Sequence, residues 1–290
     1  MRMANNVKTA VLLGLLGGIF VAVGWLIGGP SGAFIALGIA AALNFGMYFF
    51  SDRMALAASR ARLADETELP NVYTIVRSLV QRYDMPMPKI YLIDSPQPNA
   101  FATGRNPKHA AVAVTTGIVG LMTHQELEGV LAHELAHVRN RDILIATIAA
   151  TIGAAMAFLA RMAFWGGMGR RRDSNGITML LGLAAMIIAP LVAMVVQMAI
   201  SRSREFQADH TGAESTGSPM ALASALAKLD AGTARIPMAV NDSTAQLFIA
   251  DPLKALQGKR NTNWMTRIFS THPPIPERIE RLEEMAMGLR

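Results

Sequence analysis

Three residues in the stretch "LAHELAHVRNRD" (131–142) have the types and spacing for metal-assisted hydrolysis: His133, Glu134 and His137. Residues four apart share one face of a helix, so both imidazoles can turn toward a single ion. Glu134 lies one step round the helix, near that ion but angled away from ligation. A general base acting on water belongs there. The chain has no cysteine, which excludes thiolate ligands and thiol nucleophiles. Imidazole and carboxylate donors suit zinc, here one ion per chain, and a catalytic zinc site uses three protein ligands and one open position. Two core histidines would account for the pair but leave the glutamate without a purpose.

The third ligand must come from elsewhere. The remaining histidines are His109, His124, His210 and His272, but an acidic pair is the better source. In "SREFQADHTGA" (203–213), Glu205 and Asp209 are again four apart and share a helical face. Glu205 is the candidate ligand. Asp209 is the candidate acceptor for the distal nitrogen of a ligating histidine, fixing its tautomer. A merely solvated acidic face is the alternative. It is disfavoured because the pair follows directly on an apolar run that returns the chain to the side of His133.

The elements that must position these residues are unusual. The chain of 290 residues is 52% hydrophobic, 17% charged and 6% aromatic, with a net charge of +6. Soluble domains carry about 25% charged residues, so the deficit points to lipid-buried segments. The basic residues flank apolar runs (Arg53, Arg60, Arg62; Arg139, Arg141; Arg202, Arg204) and form no tract interleaved with aromatics. A lipid bilayer rather than nucleic acid is the expected partner. Residues 11–29 and 33–50 are two uncharged runs around the turn "GGPSG", read as a membrane hairpin rather than a cleaved leader. Basic residues at both outer ends place those ends in the cytoplasm. Residues 143–160 and 177–200 read as a second hairpin, giving about four membrane segments. Its linker carries Arg170, Arg171 and Arg172, which oppose the charge rule if the hairpin spans fully. Full spanning is preferred over a re-entrant arrangement.

Two polar stretches remain. Residues 69–86 read as an amphipathic helix burying Val72, Ile75, Val76, Leu79 and Val80. Residues 89–94 and 110–119 read as strands, separated by a turn and an extended piece at 95–104. Thr123 and Glu126 form a capping box and Met122 and Leu127 a hydrophobic staple, so the histidine helix starts near His124 and runs through Val138. Residues 277–290 read as a terminal helix. Residues 232–269 show little periodicity, and the sequence does not decide between a mobile flap and a connecting loop.

Together these segments resemble the HtpX membrane heat-shock metalloproteases, relatives of the CAAX prenyl proteases and of a mitochondrial stress protease. The likeness covers nearly the whole chain. It rests on the first hairpin, "SPQPNAFATGRNPKHAAVAVTTGI", "HELAHVRNRD", "SREFQADHTGA" and "STHPPIPERIERL". The resemblance implies an α+β, mostly helical fold: a gluzincin-like domain with a small β-sheet, plus the two hairpins. It implies zinc ligands at His133, His137 and Glu205, the catalytic glutamate at Glu134 and the orienting aspartate at Asp209. It further implies a cytoplasmic active site on the inner membrane and misfolded or damaged membrane proteins as substrates. The domain plan is then 1–50 and 143–200 in the membrane, with 51–142 and 201–290 as two halves of one catalytic domain.

Some positions stay open at this level. His272, in "THPP", is either a donor to the developing oxyanion or a packing residue beside the prolines. Arg278 is either part of the site or one of an ordinary surface pair with Glu277 or Glu280. Asn99, Ala100, Phe101 and Ala102 either form an edge to which substrate adds as a strand or lie within the sheet. Two other functions compete: a prenyl-protein protease, expected to have more membrane spans, and a non-catalytic scaffold with structural zinc, for which Glu134 would be superfluous. Oligomeric state is not readable.

Overall fold

The computed structural model describes residues 2–140, 142–144, 202–240, 242–257 and 273–289. The N-terminal apolar sequence forms α1 (Arg2–Ala58), whose helical backbone breaks at Gly28 and Gly29. Gly29 takes a φ of 57°, which glycine reaches without steric cost, and Pro30 opens the second half where its missing N–H is harmless. The chain reverses at this break. A Cβ on Gly24 would collide with the Ala36 side chain and the Gly32 carbonyl, so the two halves meet through small residues. Within this hairpin Gly28–Gly46, of 19 residues and mean hydropathy 1.3, is long and apolar enough to cross a membrane. It is the one such helix among the described residues. The expected second hairpin, 143–200, lies outside the described residues except for Ile143 and Leu144.

The polar stretches build a four-stranded mixed sheet with the order β1-β2-β4-β3. Its strands are β1 (Arg62–Leu63), β2 (Lys89–Ile93), β3 (Ala100–Gly104) and β4 (Ala110–Thr115). β2 and β4 run parallel, from Lys89 opposite Ala111 to Ile93 opposite Thr115. β3 lies antiparallel to β4 at the sheet's edge, with Ala100 opposite Val114 and Gly104 opposite Ala110. α2 (Pro70–Tyr83) buries the five apolar residues that its periodicity singles out, together with Tyr83. The strand expected over 110–119 stops at Thr115. There the Thr115 hydroxyl accepts the Ile118 N–H at 3.1 Å and starts α3 (Thr116–Leu121). A strand propensity carried by β-branched residues is overridden by a side-chain cap.

α4 (His124–Asn140) begins as its capping box requires. The Thr123 N–H donates to Glu126 Oε2 at 2.8 Å, and the Glu126 N–H donates to Thr123 Oγ1 at 3.3 Å. Glu126 also receives Ser224 Oγ at 2.6 Å and Lys228 Nζ at 2.7 Å, so one carboxylate both caps α4 and ties it to a later helix. Burial pushes this carboxyl up, but Lys228, Ser224 and Thr123 outweigh it and hold the pKa at about 2.

After the undescribed stretch come α5 (Arg202–Thr216), α6 (Pro219–Arg235), α7 (Asp242–Ala245), α8 (Lys254–Gln257) and α9 (Ile275–Ala286). α4 is central, packed by α2, α5, α6 and β3. The core joins one face of the sheet to these helices through residues such as Val76, Val112, Leu127, Leu131, Leu226 and Leu229. The aperiodic region 232–269 is not all loop. Phe248 and Ile249 are fully buried, and Leu247 to Ala250 pack beside β3.

Candidate active site

α4 brings His133 and His137 to the centre of the fold, with their Nε2 atoms 3.2 Å apart and their rings nearly perpendicular. α5 returns alongside and supplies Glu205, whose oxygens lie 3.7 Å from His133 Nε2 and 3.5 Å from His137 Nε2. The approach of α5 to α4 depends on Gly212. A Cβ there would stand 3.0 Å from the His133 nitrogen and 3.2 Å from its Cα. Those are backbone atoms that cannot rotate away. Gly212→Ala is therefore expected to prise α5 from α4 and destabilise the fold by about 1–3 kcal/mol. A lowered unfolding midpoint in detergent, with weaker metal retention, is the result to look for. An unchanged midpoint would show that the helices can separate freely.

One donor atom from each of His133, His137 and Glu205 lies within 4.8 Å of the other two. The surroundings of the imidazoles fit metal ligation. His133 Nδ1 meets Asp209 Oδ1 at 2.9 Å, and His137 Nδ1 meets Asp142 Oδ2 at 3.1 Å. With a carboxylate at each Nδ1, each Nε2 is turned inward as an electron-pair donor. Burial lowers the His133 pKa to about 4 against the opposing pull of Asp209, so this ring is neutral near pH 7. Burial also acts downward on His137, but the charges of Asp142 and Glu205 prevail and raise it to about 10. A cation between the Nε2 atoms would take the place of that proton.

Glu134 points away from these donors and toward the sheet. Its Oε2 accepts the backbone N–H of Ala102 at 2.8 Å. Burial pushes its carboxyl up to about 8, with Glu205 adding to the rise and the charge on His137 opposing it. A carboxyl poised near neutrality beside a metal cluster suits a group that must take and return a proton.

Asp209 is held by Arg278, whose Nε and Nη2 donate to its two oxygens at 2.8 and 2.7 Å. Burial drives Asp209 up, but Arg278 and then His133 outweigh it and leave its pKa at about 2. The guanidinium is fully buried, lies 3.4 Å from His133 Nδ1 and reaches the Ile249 carbonyl at 3.4 Å. The surface-pair alternative for Arg278 is thereby excluded.

The four substrate-strand candidates fare differently. Asn99 Nδ2 donates to the Ala250 carbonyl at 2.8 Å, and the Ala100 carbonyl accepts the Ile249 N–H at 3.0 Å. The Phe101 ring stacks edge-on against Phe248 at 4.9 Å. Residues 247–250 thus occupy the beginning of the β3 edge, and Ala102 is the candidate that faces Glu134. His272 lies outside the described residues. Sequence reasoning passed over Asp142 and the Ala102 N–H and left Arg278 undecided. Asp142 carried a usable signal, a carboxylate five residues beyond His137 where α4 ends.

Comparison with known proteins identifies the family of this chain. The model of peptidase family M48 matches residues 66–286, which contain every residue of the cluster. A protease HtpX homolog of Thermodesulfovibrio yellowstonii is 52% identical over 285 residues, covering 97% of this chain and 99% of the relative. Another, from Pelotomaculum thermopropionicum, is 47% identical over 287 residues, covering 98% and 100%. The crystal structure of S. mikatae Ste24p shares the fold at a TM-score of 0.53 and 18% identity, covering 97% of this chain. This chain spans 66% of the Ste24p chain. The chain belongs to peptidase family M48, and it is a metalloprotease of the HtpX kind.

Proposed function

We propose that this protein is an integral-membrane zinc endopeptidase that hydrolyses misfolded or damaged membrane proteins from the cytoplasmic side. The observation that carries the reading is the convergence of His133, His137 and Glu205, with Glu134 held beside them on Ala102. The apolar helix Gly28–Gly46, with Arg53, Arg60 and Arg62 beyond it, supports a membrane anchor with that end in the cytoplasm. Near-full-length identity of 47–52% to HtpX homologs favours this reading over a prenyl-protein protease.

His133, His137 and Glu205 would hold the ion, and Asp209 and Asp142 would fix the two rings. Zinc bound there supplies a Lewis acid that polarises a carbonyl and lowers the pKa of water to about 7. The backbone N–H of Ala102 fixes Glu134 Oε2, so the other carboxylate oxygen is the one free to move protons. Glu134 takes a proton from the attacking water and passes it to the departing amine. His272 is retained as the proposed donor to the oxyanion, and one zinc per chain as the stoichiometry.

Glu205→Ala tests the ligand set. Loss of the third donor is expected to weaken zinc binding by about 100-fold or more, since even outer partners of metal ligands contribute 10–100-fold. Zinc titration against a competing chelator reads this directly. Full occupancy at low free zinc would move the third ligand elsewhere.

A further inference from the structure

The path from the catalytic carboxylate to the apolar helix is short and continuous. Glu134 marks the reacting end of that path by its 2.8 Å bond to Ala102. β3 continues through Thr103 and Gly104, and α1 packs against this strand. At the next residue, the Arg105 guanidinium stacks over the Phe49 ring at 5.1 Å. Phe49 itself packs on Phe45 at 4.4 Å and on Tyr48 at 5.0 Å. This aromatic cluster closes the apolar stretch Gly28–Gly46, and Arg53 lies over Phe50 just beyond it. An aromatic and arginine collar at the end of a membrane helix marks the headgroup level.

The other end of β3 leads nowhere for a substrate. Its outer edge at Asn99 and Ala100 is occupied by residues 249 and 250 of the chain itself. Outward-facing backbone groups recur every second residue along a strand, so beyond Ala100 they fall at Ala102, whose N–H is taken by Glu134, and at Gly104, on the side toward the collar. Three residue steps, at about 3.3 Å each, lead from Ala102 to Arg105, so roughly 10 Å of chain lies between the residue that holds the reacting carboxylate and the collar.

We infer that this peptidase cuts anchored polypeptides at a short, fixed distance from the membrane. At about 3.3 Å per extended residue, the scissile bond falls about three residues from where the substrate leaves the apolar layer. The target is then a juxtamembrane segment selected by position rather than by side chains. This rests on the reading of a membrane-anchored peptidase and goes beyond it by naming what places the cut.

The test uses the full chain in phosphatidylethanolamine–phosphatidylglycerol vesicles. Single-span substrates carry a uniform unstructured tail, with zero, five or ten residues inserted next to the span, and cut sites are mapped by mass spectrometry. The expected result is a cluster of cuts that keeps its distance from the span as residues are inserted. Arg105→Ala, outside the catalytic cluster, is expected to cleave a labelled, unfolded soluble protein at the wild-type rate while at least doubling the width of the cut window. Cuts that travel with the tail sequence, or spread evenly along it, would overturn the inference. So would cleavage of the soluble protein with none of the anchored ones, a result that leaves the peptidase reading standing. Failure to cleave either substrate by zinc-loaded protein would overturn both.

Discussion

Glu134→Gln is expected to keep its zinc and lose about 10³- to 10⁴-fold in turnover, the upper range of what a positioned general base contributes. The substitution is close to isosteric. The amide oxygen can still accept the Ala102 N–H that now holds Glu134 Oε2 at 2.8 Å, so α4 and β3 keep their relation. Glu134 is not among the three candidate ligands, so metal content has no reason to fall. What disappears is the ability to take a proton and give it back. The experiment measures zinc per chain and cleavage of an unfolded protein on the same preparation. Wild-type turnover by a metal-loaded mutant would remove Glu134 from the mechanism. Loss of both zinc and turnover would instead make Glu134 part of the metal site.

Arg278→Met is expected to be the most damaging change away from the ligands. Arg278 and Asp209 form a doubly hydrogen-bonded pair with side chains 0% and 5% exposed. Removing one member of a buried pair leaves the other charge uncompensated, at a cost of about 3–5 kcal/mol. Here the stranded charge would be Asp209, which also accepts the His133 Nδ1–H, so the damage passes to a proposed zinc ligand. A large fall in unfolding midpoint together with weakened zinc binding is the expected outcome. The double variant Arg278→Met with Asp209→Asn separates the two effects. Stability is expected to recover in part, because no charge is stranded, while zinc affinity stays low because His133 keeps only a neutral amide acceptor in place of its carboxylate. Equal stability of the single variant and wild type would show that Asp209 is neutralised some other way.

Much of this centre was legible because it obeys local rules. His133, Glu134 and His137 lie on one helix, and so do Glu205 and Asp209, so a period of 3.6 residues is enough to pair them. The capping box at Thr123 and the buried face of α2 are likewise local, and both appear as expected. What escaped was set by tertiary contact. Arg278 looks like a surface residue in a charged helix, since its neighbours Glu277, Glu280 and Arg281 are all polar. Only the packing of α9 against α5 and α6 buries it. Residues 247–250 have no periodicity to betray them, yet their backbone pairs with β3 and Phe248 fills a pocket beside Phe101. The end of β4 was missed for a smaller reason: the Thr115 hydroxyl captures an N–H that strand propensity does not anticipate. α6 did carry a signal, with Leu222, Leu226 and Leu229 at helical spacing.

The place of Arg278 on α9 bears on the order in which the centre is assembled. Chains emerge from the ribosome N-terminus first and fold in that order. Two proposed ligands and the proposed base are made by residue 137, and the third candidate ligand follows at residue 205. Arg278, which holds Asp209 and through it meets His133 Nδ1, comes last. A growing chain therefore carries every metal donor well before it carries a finished metal site. The last-made residue of the centre is therefore also the one whose absence would leave the buried Asp209 carboxylate without its cationic partner.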